Sequence, residues 1–112
     1  MPSLYIQQVK TLASVNLTVS GTAEAISGST VYGRSFTVTA ASGNTGVIWV
    51  GDSDVAVNRG TPLAAGESVV ITPDVFNASI EALIDAADIY IDGDTTNDDV
   101  HITYMDNKTV HP

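Results

Sequence analysis

Arg34-Ser35-Phe36-Thr37-Val38-Thr39-Ala40-Ala41 puts Phe36, Val38 and Ala40 on one side of an extended chain and Ser35, Thr37 and Thr39 on the other. Strict alternation over this length marks a strand with one face in a core and one toward solvent. Ser42-Gly43-Asn44-Thr45-Gly46 follows, with two glycines and an asparagine that readily take positive φ. Next comes Val47-Ile48-Trp49-Val50, apolar on both sides as a central strand covered on two faces would be, with Trp49 expected as a core anchor. The two runs predict an antiparallel hairpin closed by a five-residue loop.

Working outward, Val15-Asn16-Leu17-Thr18-Val19 alternates in the same way, and Leu4 to Lys10 reads as a strand or an extended arm. On the C-terminal side, Val55-Ala56-Val57 is a short strand, and Ser68 to Thr72 is another that ends at Pro73, which has no N–H to give a ladder. Asp88 to Asp92 and Val100 to Met105 complete the set. Within Asp74 to Ala87, the apolar residues Val75, Phe76, Ile80, Leu83 and Ile84 approximate helical spacing, which allows at most one short helix around residues 77–87. Strands recurring about every ten residues between Gly, Asn and Asp turns predict an all-β protein, an antiparallel β-sandwich or a small jelly-roll-like barrel. The expected organisation is an N-terminal strand or docking arm over residues 1–12, a sandwich domain over 13–106 and a flexible tail over 107–112.

Composition agrees. The 112 residues include 14 Val, 9 Ile and 13 Thr against 5 Leu, and side chains branched at Cβ sit better on pleated sheets than in helices. With no cysteine there is no disulfide framework, thiolate nucleophile or cysteine metal site. No apolar run approaches the roughly 20 residues that span a bilayer, and the first residues do not read as a signal peptide. Charge is uneven. Residues 1–40 hold Lys10 and Arg34 against Glu24, a net of +1, whereas residues 41–112 hold twelve acids against Arg59 and Lys108, a net of −10. A surface this acidic repels nucleic acid and anionic membrane, so neither is expected as a partner.

Catalytic chemistry is hard to place. A nucleophile needs a base beside it, and only His101 and His111 are present. His111 is penultimate, and His101 shares a solvent- or partner-facing side of its strand with Thr103 and Met105. The carboxylates fall in turns with little apolar cover, where an ordinary pKa suits solubility better than proton transfer. No phosphate-binding glycine pattern and no zinc spacing occurs, so no enzyme and no cofactor are expected. Calcium has one set of candidates, Asp92, Asp94 and Asp98, in a region that also holds Asp85, Asp88 and Asp99. The spacing lacks the sixth-position glycine and twelfth-position glutamate of an EF-hand, which favours a plain solvated acidic loop.

Two blocks carry a family resemblance. Asn44-Thr45-Gly46-Val47-Ile48-Trp49-Val50-Gly51-Asp52-Ser53-Asp54-Val55 and Gly60-Thr61-Pro62-Leu63-Ala64-Ala65-Gly66-Glu67-Ser68 resemble small virion structural proteins of tailed bacteriophages. Ala87 to Asp94 and Val100 to Tyr104 look like the closing strands of the same module, so the similarity covers about residues 34–105. The resemblance implies a capsid decoration (cement) protein that binds the major capsid protein or another virion protein. Its location would be the virion, assembled in the host cytoplasm, and a trimer would suit a capsid symmetry axis. A fibre- or tail-associated module that binds a receptor or carbohydrate is the other reading, with Tyr32, Tyr90 and Tyr104 as candidate contacts. On the capsid reading the near-neutral N-terminal 40 residues are a candidate docking side, where Leu4, Tyr5, Ile6 and Val9 form either an apolar arm able to add a strand to a neighbour or the domain's own first strand.

Overall fold

The computed structural model describes residues 4–73 and 83–110. Ten strands account for most of them: β1 (Leu4–Asn16), β2 (Glu24–Ala25), β3 (Tyr32–Gly33), β4 (Ser35–Ala40), β5 (Ile48–Gly51), β6 (Thr61–Leu63), β7 (Ser68–Ile71), β8 (Ile84–Asp85), β9 (Tyr90–Gly93) and β10 (Asp99–Val110). They form two four-stranded antiparallel sheets, in the orders β1-β10-β4-β7 and β2-β9-β5-β6, with β3 and β8 paired apart from both. The two sheets face each other without closing into a barrel, so the architecture is an antiparallel sandwich.

The winding has a simple rule. β1 pairs with β10, β2 with β9, β3 with β8, β4 with β7 and β5 with β6, so the first half of the chain runs out and the second half returns along it. This long ribbon is rolled until β10 also meets β4 and β9 meets β5. The result is a jelly roll, which hides most strand edges inside two short sheets.

The core lies between the sheets. Phe36, Val38, Ala40, Val100 and Ile102 meet Ile48, Val50, Leu63 and Ile91 from the opposite sheet, all buried. β4 alternates buried and half-buried residues along its whole length, as its sequence period requires. Gly33 lies directly over the stacked rings of Phe36 and Tyr104: a Cβ there would come within 2.8 Å of Tyr104 Cδ2 and 3.0 Å of Phe36 Cε2. Glycine is therefore a packing requirement at this position, irrespective of backbone freedom.

Several expectations need correction. β4 and β5 do not form a hairpin, because the loop between them carries the chain from one sheet to the other. Trp49 is half-buried on the outer side of its strand, while Ile48 and Val50 supply the core. Val55-Ala56-Val57 is not a strand: Val55 is buried beneath Gly51 and Gly60, and Ala56 and Arg59 close a tight turn through mutual backbone hydrogen bonds of 3.1 and 2.8 Å. The stretch expected to hold at most one short helix is described only from residue 83, with Val75, Phe76 and Ile80 outside the described residues; there the chain is strand at Ile84–Asp85 and a single 3-10 turn at Ala86–Asp88, which that expectation allows. Nor is the C-terminal segment a loose tail, since β10 continues to Val110 in register with β1. His111 and Pro112 lie outside the described residues.

Asp85 fixes the strand and the turn at Ile84–Asp88. Its carboxylate accepts from the N–H of Ala87 (3.0 Å) and of Val31 (3.1 Å), capping the turn and holding β8 against the chain entering β3. The Ala87 N–H holds the carboxyl below the usual range; desolvation works against it, while the Val31 N–H and the Thr30 hydroxyl add to it. A carboxyl with a lowered pKa in the folded state stabilises fully above its unfolded value of about 4, and that contribution is lost as pH falls through the folded value. Asp85→Ala is therefore expected to lower the melting temperature at neutral pH, and the gap to the wild type should shrink as pH falls from about 5 toward 3. Thermal unfolding followed by circular dichroism across that range checks it; a constant gap would remove the carboxylate as the cause.

Candidate interaction surface

β1 and β10 are much longer than their neighbours. β4 covers β10 only from Val100 to Met105, whereas β1 continues with β10 from Gln8↔Asp106 to Leu4↔Val110. These last five pairs form a two-stranded ribbon clear of the sandwich, about 16 Å long at ~3.3 Å per residue. The molecule's longest extent is 53 Å and its radius of gyration 15.2 Å, against about 13 Å for a compact chain of this length. A two-stranded ribbon is marginal alone in water, so a surface that covered it would add order as well as contact.

The structure places three of the expected docking residues, Leu4, Tyr5 and Ile6, on this element, and Val9 just inside the sandwich opposite Met105. Leu4 and Tyr5 pair through their backbones with Val110 and Thr109. Ile6 is 50% exposed and Val9 68% exposed. Because strand residues alternate, Ile6 and Val9 lie on opposite faces, so the apolar residues do not form one stripe. β1 is thus both the domain's own first strand and a projecting element.

A bulge resets that alternation. Between Leu12↔Ile102 and Val15↔Val100, Ala13 and Ser14 occupy the space opposite His101. The additional residue lets both Leu12 and Val15 turn inward against the core. It also brings Ser14 Oγ within 2.8 Å of His101 Nδ1. The sequence gives no hint of this pair, since the two residues are 87 positions apart and meet only through the bulge. Both are exposed on a sheet face and have no carboxylate partner among the described contacts, so the geometry lacks the oriented base that a serine nucleophile needs.

Apart from Asp99 at one end, whose Oδ1 accepts from the Asn16 side-chain amide at 2.7 Å, that outer face carries no formal charge. Val9, Met105 and Ser35 form one row across it; Thr11, Thr103, Thr37 and Val70 form the next; His101, Thr39 and Ser68 form a third, with Thr39 Oγ1 and Ser68 Oγ 2.6 Å apart. Most of the chain's negative charge lies elsewhere. Residues 4–16 and 99–110 hold Lys10 and Lys108 against Asp99 and Asp106, so the long ribbon is neutral in a chain of net −9. Lys10 Nζ reaches Asp106 Oδ2 at 3.7 Å, an exposed ion pair of small energetic weight.

The acidic loops are not the solvated surface expected. Asp92 and Asp98 are buried, 1% and 5% exposed. Asp92 Oδ1 accepts from the N–H of Gly21 (2.9 Å) and of Gly93 (2.7 Å). Asp98 accepts from Thr45 N–H at Oδ1 (3.1 Å) and from Gly46 N–H at Oδ2 (2.9 Å). Asp94 Oδ1 takes the Val47 N–H at 3.3 Å and the Thr95 hydroxyl at 3.1 Å. Asn44 adds a two-way clasp on Asp99, donating to its carbonyl at 2.9 Å and accepting its N–H at 2.8 Å. The three calcium candidates therefore each spend a carboxylate on backbone donors, and among the described residues no three or more His, Asp or Glu side chains gather as a metal site.

Nor are the three tyrosines gathered. Tyr32 is exposed on β3, Tyr90 is half-buried on β9, and Tyr104 stacks on Phe36 with ring centroids 5.1 Å apart. A groove of about 350 Å³ opens between β5 and β7, walled by Val50, Val69, Ile71, Ile84 and Ile89, with Asp52 and Asp88 also lining it. No helix among the described residues is long and apolar enough to cross a membrane. Compared with known protein families, curated proteins and solved structures, the chain matches none.

Proposed function

We propose that the protein is a non-enzymatic structural component of a bacteriophage virion, a capsid decoration protein that docks on the head surface through its β1–β10 ribbon. The observation that carries this reading is the ribbon itself: neutral in a strongly acidic chain, projecting past the sandwich, with Ile6 exposed on it and Val9 exposed where it leaves the sandwich. Jelly rolls recur in viral capsids, which supports the reading by analogy of fold and no further. The resemblance of residues 34–105 to phage virion proteins gives it a particle. The partner is then the major capsid protein or a neighbouring virion protein, met by apolar contact at the faces of a neutral ribbon.

Purified particles stripped of decoration provide the test. Saturable, stoichiometric binding is expected at micromolar protein, and Ile6→Glu with Val9→Glu should weaken it at least tenfold while leaving thermal unfolding of the sandwich unchanged. Absence of binding at micromolar concentration, or full binding by the double variant, would refute ribbon docking.

A further inference from the structure

The two sheets expose four outer edges, and three of them are blunted. β7 is four residues long and is soon followed by Pro73, β2 is two residues long, and β6 is three residues long with Pro62 in its middle. Short edges and prolines are how folded proteins prevent unwanted strand pairing. β1 has neither device. It is thirteen residues long, contains no proline, has β10 as its single sheet neighbour among the described residues, and carries Lys10 as its one charge.

We infer that the free edge of β1 pairs antiparallel with β1 of a second copy, joining two four-stranded sheets into one of eight strands. Three observations select this occupant. An edge of this length needs an equally long extended strand, and a second β1 supplies one with the same row of donors and acceptors, so the contact is self-complementary about a two-fold axis. Two chains of net −9 meet with least repulsion where each is neutral, which is along the β1–β10 ribbon. The ribbon also projects, so pairing near its tip leaves the two sandwiches at opposite ends.

Charge narrows the register. A pairing centred on Lys10 would oppose two cations, which is unfavourable across a strand pair. Centring it on Gln7, where the ribbon is clear of the sandwich, overlaps residues 4–10 of each copy and sets Lys10 opposite Leu4. The paired length is then about 23 Å. A two-fold dimer takes the place of the three-fold assembly that the family resemblance implies. It does not depend on the virion reading, because two copies pair in solution or fail to whatever particle carries them.

Sedimentation equilibrium at micromolar concentration tests the dimer directly. The expected mass is twice the 11.6 kDa of the chain; a monomer or a trimer would overturn the proposal. Successive strand N–H groups point to alternate sides, so of Gln7→Pro and Gln8→Pro one removes a donor toward β10 and the other a donor at the free edge. The free-edge variant should keep the wild-type melting temperature and sediment at half the mass. Two proline variants that both remain dimeric would also overturn it. Particle binding is measured separately, so its failure would leave the dimer standing.

Discussion

Phe36→Ala is expected to lower the stability of the fold by about 3–5 kcal/mol, the range for truncating a buried phenylalanine. Phe36 is fully buried on β4, a strand that pairs with β10 on one side and β7 on the other. Its ring stacks on Tyr104 with an interplanar angle of 17°, and the Gly33 backbone passes close above both rings. The cavity left by alanine has little means of closing, because the surrounding atoms belong to backbone or to residues fixed by the core. A domain of this size has a total stability of roughly 5–15 kcal/mol, so the loss would lower the melting temperature by roughly 15–25 °C. Urea unfolding followed by fluorescence of Trp49, the one tryptophan, measures it. A loss under about 1 kcal/mol would mean that Phe36 is not the centre of the core.

Asp98→Ala is expected to cost about 2–4 kcal/mol. Hydrogen bonds to a charged group contribute about 1.5–3 kcal/mol each, partly offset here by water reaching the freed donors. Asp98 takes two of them, from the Thr45 and Gly46 N–H groups, and those residues lie in the loop by which the chain crosses between sheets. The loop is tight: a Cβ on Gly46 would run into the Asp94 carboxylate and the Thr95 side chain. Asp98→Asn should rescue only part of the loss, because its NH₂ would face one of the two N–H donors. Chemical denaturation of both variants decides the matter. If both stay within about 0.5 kcal/mol of the wild type, Asp98 is a solvated surface acid after all.

These two residues also show what could and could not be read in advance. The inward position of Phe36 follows from its period-two neighbours, which any strand must obey. The burial of Asp98 does not, because a run of aspartates, glycine and asparagine looks the same whether its carboxylates face water or backbone donors from another loop. Those donors come from Thr45 and Gly46, more than 50 positions away. The Ser14–His101 contact was hidden for a related reason, since it depends on a one-residue bulge with no sequence mark.

By itself, the amino-acid sequence determined the all-β class, the positions of β4, β5, β7 and the inner part of β10, the inward set Phe36, Val38 and Ala40, and the outward side of His101. Alternation and turn residues are local properties, and they report which side of a strand faces a core. Tertiary structure alone decided which sheet each strand joins, that β4 and β5 part company, that Trp49 faces outward, and that both ends of the chain become one long ribbon with an open edge. Strand partners are chosen by packing between residues distant in the chain, and a period of two carries no information about which neighbour will be there.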